Sequence, residues 1–194
     1  MSDVPTTSIG DWSKRVLATI DACIHPGKAM DVATIAQALS PASTWQGCPR
    51  TADLSPNGTL PAYRRMPLGV DGPGPYEALL ILWPPGHATP VHDHQGLWGL
   101  EYVLDGVLEV ESFVLTPEPA IHLEPRSTLI AGVGDYLVFS DADYAHRCRN
   151  LSKNRPALSL HVYGGSLDWY RSFHAEGEGW SWQLHQSIRN ELPA

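Results

Sequence analysis

The chain has 194 residues, 43% of them hydrophobic, and this length suits one well-buried core better than two. Its net charge is −8, and its 13 basic residues form no stripe that could follow a phosphate backbone, so we expect no nucleic-acid partner. The N-terminal residues are polar and no apolar run approaches the roughly 20 residues that cross a bilayer, which predicts a cytoplasmic protein without a membrane segment.

Residues 1–45 are predicted to contribute two short helices. Apolar side chains recur at helical spacing on either side of a His-Pro-Gly break: Trp12, Val16, Leu17, Ile20, Cys23 and Ile24, then Val32, Ile35, Ala36 and Leu39. Neither helix is long enough to be stable alone. We therefore expect both to pack their apolar faces on the rest of the domain.

From about residue 62 the sequence changes to short β-rich runs separated by turn residues. The predicted strands cover residues 76–83, 98–104, 107–115, 128–131, 136–139 and 157–163. Asp105-Gly106 is typical of a tight hairpin, because this pair accepts positive φ angles, and it is predicted to join the strands on either side. The aromatic tail after His174 is predicted to end in a helix that reaches Leu192. Regularly spaced runs of this kind favour an antiparallel sandwich or barrel.

Histidines, rather than cysteines, are the candidate metal ligands. The three cysteines are widely spaced and form no C-x-x-C pair, so neither a disulfide framework nor a zinc–thiolate site is indicated. On an extended strand, residues i and i+2 share a face, so His92 and His94 present two imidazoles side by side, which is half of a transition-metal site. His146 is the third candidate. Four other histidines are interpreted as ordinary core or surface residues: His25, His122, His174 and His185.

The spacing around the candidate ligands resembles the two cupin motifs. Gly86-x5-His92-x-His94, followed by Gly106, is similar to the first motif, and His146-x3-Asn150 is similar to the second. The resemblance implies a mainly β fold, a small antiparallel β-barrel of the jelly-roll type, with short N-terminal helices packed on it. We expect one cupin domain over residues 1–194, with the barrel and its metal site at about residues 62–170.

Cupins commonly bind metal through three histidines and a glutamate, but Trp98 or Gly99 stands at the glutamate position here. The site therefore resembles the three-histidine site of the cysteine dioxygenase, or thiol dioxygenase, family. That resemblance implies Fe(2+) bound by His92, His94 and His146, with a small thiol and O₂ as substrates and a sulfinic acid as product. Gly99 also stands where animal members carry the cysteine that crosslinks to a tyrosine, so we expect no crosslink.

A polar stripe lies on the last predicted barrel strand. Strand parity sends Ser159, His161 and Tyr163 to one face and the apolar residues between them to the other. Burying three polar groups unpaired would cost about 1–3 kcal/mol each, so a hydrogen-bonded relay is favoured over a solvated face. The relay is similar to the Ser-His-Tyr relay of thiol dioxygenases, which implies that the Tyr163 hydroxyl reaches the metal site and acts in catalysis.

The substrate carboxylate requires a cation. Arg65, with Arg64 as the alternative, matches the place of the carboxylate-binding arginine of cysteine dioxygenases, and an arginine fork fixes a carboxylate by two parallel hydrogen bonds. Arg171 is a weaker candidate. Asp93 has the opposite parity to the histidines and is predicted to point away from the metal. The orientation of Glu101 stays open: it faces the interior or, if a bulge shifts the parity, the outside.

These patterns predict a thiol dioxygenase with L-cysteine as the first expected substrate. The same mechanism would serve 3-mercaptopropionate or mercaptosuccinate. A hypothesis of another class is a non-catalytic metal-binding cupin module. The missing fourth ligand together with the relay favours the enzyme, because a structural metal site would need no relay. No pattern in the sequence indicates an oligomeric state.

Overall fold

The computed structural model describes residues 8–25, 27–54, 61–69, 74–116, 120–140, 142–177 and 179–192. The helices are α1 (Ile9–Cys23), α2 (Val32–Leu39) and α3 (Thr51–Leu54), with a 3-10 turn at Ala42–Thr44. The strands are β1 (Arg64–Pro67), β2 (Glu77–Trp83), β3 (Val91–Asp93), β4 (Gly99–Asp105), β5 (Leu108–Thr116), β6 (His122–Ala131), β7 (Tyr136–Phe139), β8 (Tyr144–Asn150), β9 (Ala157–Tyr163), β10 (Trp169–Glu176) and β11 (Gly179–Gln186). Within these ranges, no helix has the length and apolar character needed to span a membrane.

The strands form two antiparallel sheets, in the orders β1-β2-β9-β4-β7 and β11-β10-β3-β8-β5-β6. Their inner faces share one buried cluster, which takes Ile81 and Trp83 from the first sheet and Val110 and Cys148 from the second. The predicted mainly β cupin fold is therefore confirmed. Five of the six predicted strands agree with the structure within two residues, whereas β6 begins at His122 rather than at residue 128.

The helices cover the outer face of the first sheet, as the sequence predicts. Leu158, Leu160 and Val162 of β9 belong to the same buried cluster as the apolar faces of α1 and α2. The buried indole of Trp12 donates to the Ala42 carbonyl at 3.0 Å, which ties α1 to the turn after α2. The alternation along β9 thus gives its apolar residues to the helices and leaves its polar residues for the barrel interior.

The prediction of a hairpin at Asp105-Gly106 is wrong. β4 pairs with β7 and β9, whereas β5 pairs with β6 and β8, so this turn carries the chain from one sheet to the other. Gly106 does have a positive φ of 84°, and a Cβ there would lie 2.7 Å from the Ala157 Cβ. The Asp105 carboxylate accepts from the backbone and hydroxyl of Thr51 at 3.0 and 2.9 Å, which fixes the end of β4 beneath α3.

The predicted C-terminal helix is also wrong. Residues 179–186 form β11, paired with β10, and residues 187–192 are not helical. The alternation of Trp180, Trp182 and Leu184 with polar residues has a period of two, which is typical of a strand. After β11 the chain returns to β1, where Asn190 and Arg65 exchange hydrogen bonds of 2.7 and 3.1 Å. The tail therefore closes one edge of the barrel.

Candidate metal and substrate site

Three histidines from two neighbouring strands converge inside the barrel. His92 on β3 lies opposite His146 on β8, and His94 directly follows β3. One ring nitrogen from each lies within 4.8 Å of the others, and the Nε2 atoms of His92 and His146 are 3.2 Å apart. The structure thus brings together the three histidines that the sequence indicates as ligands.

These histidines fit a metal ion. Both ring nitrogens of His94 are buried and have no hydrogen-bond partner among the described residues, which would be costly if nothing bound there. His92 Nδ1 lies 3.1 Å from the Pro90 carbonyl, to which it can donate, so its Nε2 lone pair faces the cluster. Burial lowers the pKa of His92 to about 4 and that of His146 well below its usual value. Neutral imidazoles are good donors to iron and to neighbouring transition metals.

The relay of Ser159, His161 and Tyr163 is continuous and is extended by one further donor. The Trp83 indole donates to Ser159 Oγ at 2.8 Å, Ser159 Oγ lies 2.8 Å from His161 Nε2, and His161 Nδ1 lies 3.1 Å from the Tyr163 hydroxyl. The Ser159 hydroxyl accepts from the Trp83 indole, which can only donate, and His161 Nε2 is the acceptor that the described residues offer for the Ser159 proton. His161 then carries its proton on Nδ1 and donates to Tyr163.

This direction leaves the Tyr163 O–H free to donate into the interior. The Tyr163 and His94 rings lie 5.0 Å apart between centroids, so the phenol is beside the candidate ligands. Burial raises the pKa of Tyr163 well above its usual value and lowers that of His161, because each neutral form is favoured away from water. Tyr163 therefore stays a protonated donor.

A cavity of about 380 Å³ joins two of the clustered histidines, His92 and His146, to a buried arginine, Arg65. One Arg65 amino group donates to the Ser187 hydroxyl, while its Nε has no hydrogen-bond partner among the residues that the structure describes. Within the described ranges, no carboxylate lies within ion-pair distance of Arg65, although its side chain is buried. A buried guanidinium without a counter-ion is unfavourable, so the cavity is suited to an anionic ligand at this end.

The other two candidate arginines do not line this cavity. Arg64 precedes Arg65 on β1 and so projects to the opposite face of the strand. Arg171 is bound to Asp93: its backbone N–H donates to Oδ1 at 2.9 Å and its Nε donates to Oδ2 at 2.7 Å. Asp93 therefore points away from the histidines, as strand parity predicts.

Glu101, whose orientation the sequence left open, faces the barrel interior and lines the cavity. The register shift in β4 falls between Val103 and Asp105, beyond Glu101, so parity is preserved up to this residue. Its Oε1 lies 3.4 Å from His146 Nε2 and 3.5 Å from His161 Nδ1. Burial raises the pKa of Glu101 to about 8.

Position 99 has no room for a side chain. A Cβ on Gly99 would lie 2.1 Å from Cζ of Phe139, whose ring stacks on His94 with centroids 4.6 Å apart. The aromatic ring thus occupies the space where a crosslinking cysteine would project.

Gly99→Ala is expected to destabilise the protein by about 1–3 kcal/mol, because the added methyl group must displace Phe139. Since that ring supports His94, metal affinity should also fall. Denaturant unfolding and metal titration measure the two effects. The double variant with Phe139→Leu should recover the stability, because the smaller side chain leaves room for the methyl group, and wild-type behaviour of the single variant would contradict this packing argument.

Sequence reasoning missed several residues of the cavity wall. Tyr63 stacks on His87 with centroids 4.6 Å apart, and Tyr170 contacts His92 edge-on at 5.7 Å. Tyr63 could have been found, because it lies two residues before Arg65 in the same extended segment. His87 and Tyr170 carry no comparable signal. The role of Trp83 as a donor to Ser159 also depends on strand pairing.

The sequence matches one family model and several curated proteins. The family model described as cysteine dioxygenase type I matches residues 23–176. Human cysteine dioxygenase type 1 is 26% identical over 102 residues, which cover 53% of this chain and 51% of the human protein. The same enzyme of Rattus norvegicus is 24% identical over 160 residues, covering 82% and 79%. The chain therefore matches about half the length of the human protein and more of the rat protein.

Solved structures with a related arrangement have low sequence identity. The cupin domain of Schizosaccharomyces pombe Cnp3 superposes with a TM-score of 0.43 at 13% identity, covering 57% of this chain and 66% of that one. Hydroquinone 1,2-dioxygenase PnpCD superposes with a TM-score of 0.43 at 18% identity, covering 59% and 70%.

Proposed function

The chain belongs to the cysteine dioxygenase type I family, and from this premise we propose that it is a non-haem iron thiol dioxygenase acting on a small thiol carboxylate, with L-cysteine as the first candidate. One observation carries the proposal. A single cavity is lined by two members of the three-histidine cluster, His92 and His146, and, separately, by a buried arginine that has no counter-ion among the described residues. A thiol carboxylate has one group for each: a sulfur for the metal and a carboxylate for Arg65.

His92, His94 and His146 would bind ferrous iron, which supplies a positive charge that favours thiolate over thiol and a redox centre that activates O₂. The overall reaction is R–SH + O₂ → R–SO₂H. Sulfur is oxidised, O₂ is reduced and both oxygen atoms end on sulfur, so the reaction needs no further reductant.

Arg65 orients the substrate. Its guanidinium is fixed from behind by Ser187, so its free N–H groups are available to a carboxylate in the cavity. Tyr63, His87 and Tyr170 form an aromatic wall of the cavity, which limits the water that reaches Arg65 and a bound carboxylate. Because Arg65 recognises only the carboxylate, 3-mercaptopropionate and mercaptosuccinate present the same group to it.

Tyr163 supplies a hydrogen bond at the reacting end. Its hydroxyl accepts from His161 and has its own proton free for the substrate, and the relay fixes the direction of that proton. The side chain therefore orients the substrate and stabilises negative charge that develops beside the sulfur.

The proposal is tested by purifying the protein without oxygen, loading it with ferrous iron and recording O₂ consumption with L-cysteine, 3-mercaptopropionate, mercaptosuccinate and cysteamine. Uptake with a product that is heavier by two oxygen atoms would support the dioxygenase and identify its substrate. Absence of uptake with every thiol, despite bound iron, would favour the non-catalytic metal-binding module.

Arg65→Ala is expected to lower kcat/KM for a thiol carboxylate by roughly 10- to 150-fold, the equivalent of a charged hydrogen bond of about 1.5–3 kcal/mol. Iron content should not change. Arg64→Ala is the matched control, since it removes the same charge one residue earlier and does not line the cavity. An unchanged kcat/KM in the Arg65 variant would rule out this anchor.

A further inference from the structure

Glu101 is the only residue with a carboxyl side chain among the described residues that line the cavity. The side chain is buried, with a residue exposure of 5%. Its Oε2 lies 3.4 Å from the Cys148 thiol, whereas Oε1 has no hydrogen-bond partner within the described part of the chain. One oxygen of Glu101 is therefore held by the protein, and the other is left to the contents of the cavity.

The group that Oε1 lacks is a hydrogen-bond donor. Two ring nitrogens lie near it, His146 Nε2 at 3.4 Å and His161 Nδ1 at 3.5 Å. The proton on His161 Nδ1 is directed to the Tyr163 hydroxyl at the shorter distance of 3.1 Å. His146 Nε2 lies 3.2 Å from His92 Nε2 and presents its lone pair to the histidine cluster. Neither ring supplies a proton to Oε1, so the donor that satisfies this buried oxygen has to come from a bound ligand or water.

Glu101 can accept a hydrogen bond in either of its protonation states. A carboxylate has two acceptor oxygens. Burial raises the pKa of Glu101 to about 8, which favours the neutral acid near neutral pH. A proton on Oε2 can then be directed to Cys148 Sγ, which leaves Oε1 as the carbonyl oxygen. Oε1 is therefore an acceptor whether or not the side chain is charged.

Glu101 and Arg65 are two separate anchors of opposite kind in one cavity. No ion pair joins them in the described ranges, so the Arg65 N–H groups and Glu101 Oε1 do not satisfy each other. Arg65 presents donors and a positive charge, whereas Glu101 presents an acceptor. A ligand that has both a carboxylate and an amine is complementary to this pair.

We infer that Glu101 is a specificity-determining residue that accepts a hydrogen bond from the substrate amine, so that the cavity selects an amino thiol carboxylate such as L-cysteine. The inference rests on the proposed function for the identity of the ligand as a thiol carboxylate. L-Cysteine offers its thiol to the histidine cluster, its carboxylate to Arg65 and its amine to Glu101. 3-Mercaptopropionate has the same chain length but no amine, so it leaves Oε1 without a partner of its own. Sites built to bind a polar group discriminate strongly against analogues that lack it.

The test measures binding of the two thiols without turnover. The protein is loaded with Zn²⁺, which binds thiolates but has no redox chemistry, and is dialysed. Dissociation constants for L-cysteine and 3-mercaptopropionate are then determined by calorimetry in the absence of O₂. The wild-type protein is expected to bind L-cysteine more tightly than 3-mercaptopropionate. Glu101→Leu should weaken L-cysteine binding by about 5- to 150-fold, the cost of losing the partner of a buried polar group. Binding of 3-mercaptopropionate should change by less than about threefold, because it makes no hydrogen bond to Glu101.

Glu111→Leu is the matched control. It makes the same substitution on β5, outside the cavity, where Glu111 accepts from Arg147 Nε at 2.6 Å. Both dissociation constants should equal those of the wild-type protein.

An equal loss of affinity for both thiols in Glu101→Leu would indicate a structural role and overturn the inference. Circular dichroism and the unfolding midpoint show whether the variant is folded. The wild-type protein provides a test that needs no variant, since equal or tighter binding of 3-mercaptopropionate would be just as contrary. The two proposals fail separately: selective binding of L-cysteine without O₂ uptake by the iron-loaded protein would count against the dioxygenase alone. O₂ uptake without selective binding would count against Glu101 alone.

Discussion

Replacing His94 with alanine is expected to abolish stoichiometric iron binding and, with it, thiol-dependent O₂ consumption. The His94 imidazole contributes a neutral nitrogen donor to the ion. Its two buried ring nitrogens have no hydrogen-bond partner in the described ranges that would compete with the metal. Losing a direct ligand should exceed the 10- to 100-fold loss of metal affinity typical of residues that only support ligands. Iron per chain and oxygen-electrode rates measure the two effects.

The fold should survive this change. Loss of the stacking contact with Phe139 is opposed by removal of an unsatisfied polar group, so the free energy of unfolding of the metal-free protein should change by less than about 2 kcal/mol. His122→Ala is the control, since His122 is exposed on β6, and it should retain full iron. Stoichiometric iron in the His94 variant would remove His94 from the ligand set.

The second large effect is expected for Tyr163→Phe. The substitution removes only the phenol oxygen and leaves the ring against His94, so iron content and KM should remain close to those of the wild-type protein. Turnover should fall by about 100-fold, at the lower end of the 10²- to 10⁴-fold that a positioned proton donor contributes. Steady-state O₂ uptake together with iron analysis separates kcat from metal loading.

The control for this experiment is Tyr136→Phe, at an exposed position on β7. It makes the same chemical change outside the cavity and should leave kcat, KM and iron content unchanged. If Tyr163→Phe lowered kcat by less than about threefold, the hydroxyl would have a structural role and the reaction would not depend on its proton.

The parts of the site that local periodicity controls could be predicted from the sequence. The period of two on a strand places His92 beside His94 and puts Ser159, His161 and Tyr163 on one face, and the structure has both arrangements. The pairing of His92 with His146 is different in kind, because it depends on the register of strands far apart in the chain. Only the spacing of the cupin motifs indicated it.

Other features depend on long-range contacts that leave no local signal. Arg64 and Arg65 have opposite parity, but which of them faces inward is decided by pairing of β1 with β2 and with the returning tail at Asn190. A positive φ at Gly106 suits a hairpin and a crossing between sheets equally, so the turn signal alone was insufficient. Glu101 faces the interior only because the bulge lies beyond it.

The hydrogen-bond chain behind Tyr163 begins at the indole of Trp83, a group that can give a proton but has no lone pair to receive one. This series of hydrogen bonds therefore ends at Trp83 and gives no path along which a proton could pass from Tyr163 to bulk water. Under the proposed function, a proton that Tyr163 gave up during turnover would have to return from the cavity side, and a thiol substrate entering there would bring one with it. The proposed reaction would then exchange this proton only between the phenol and the substrate.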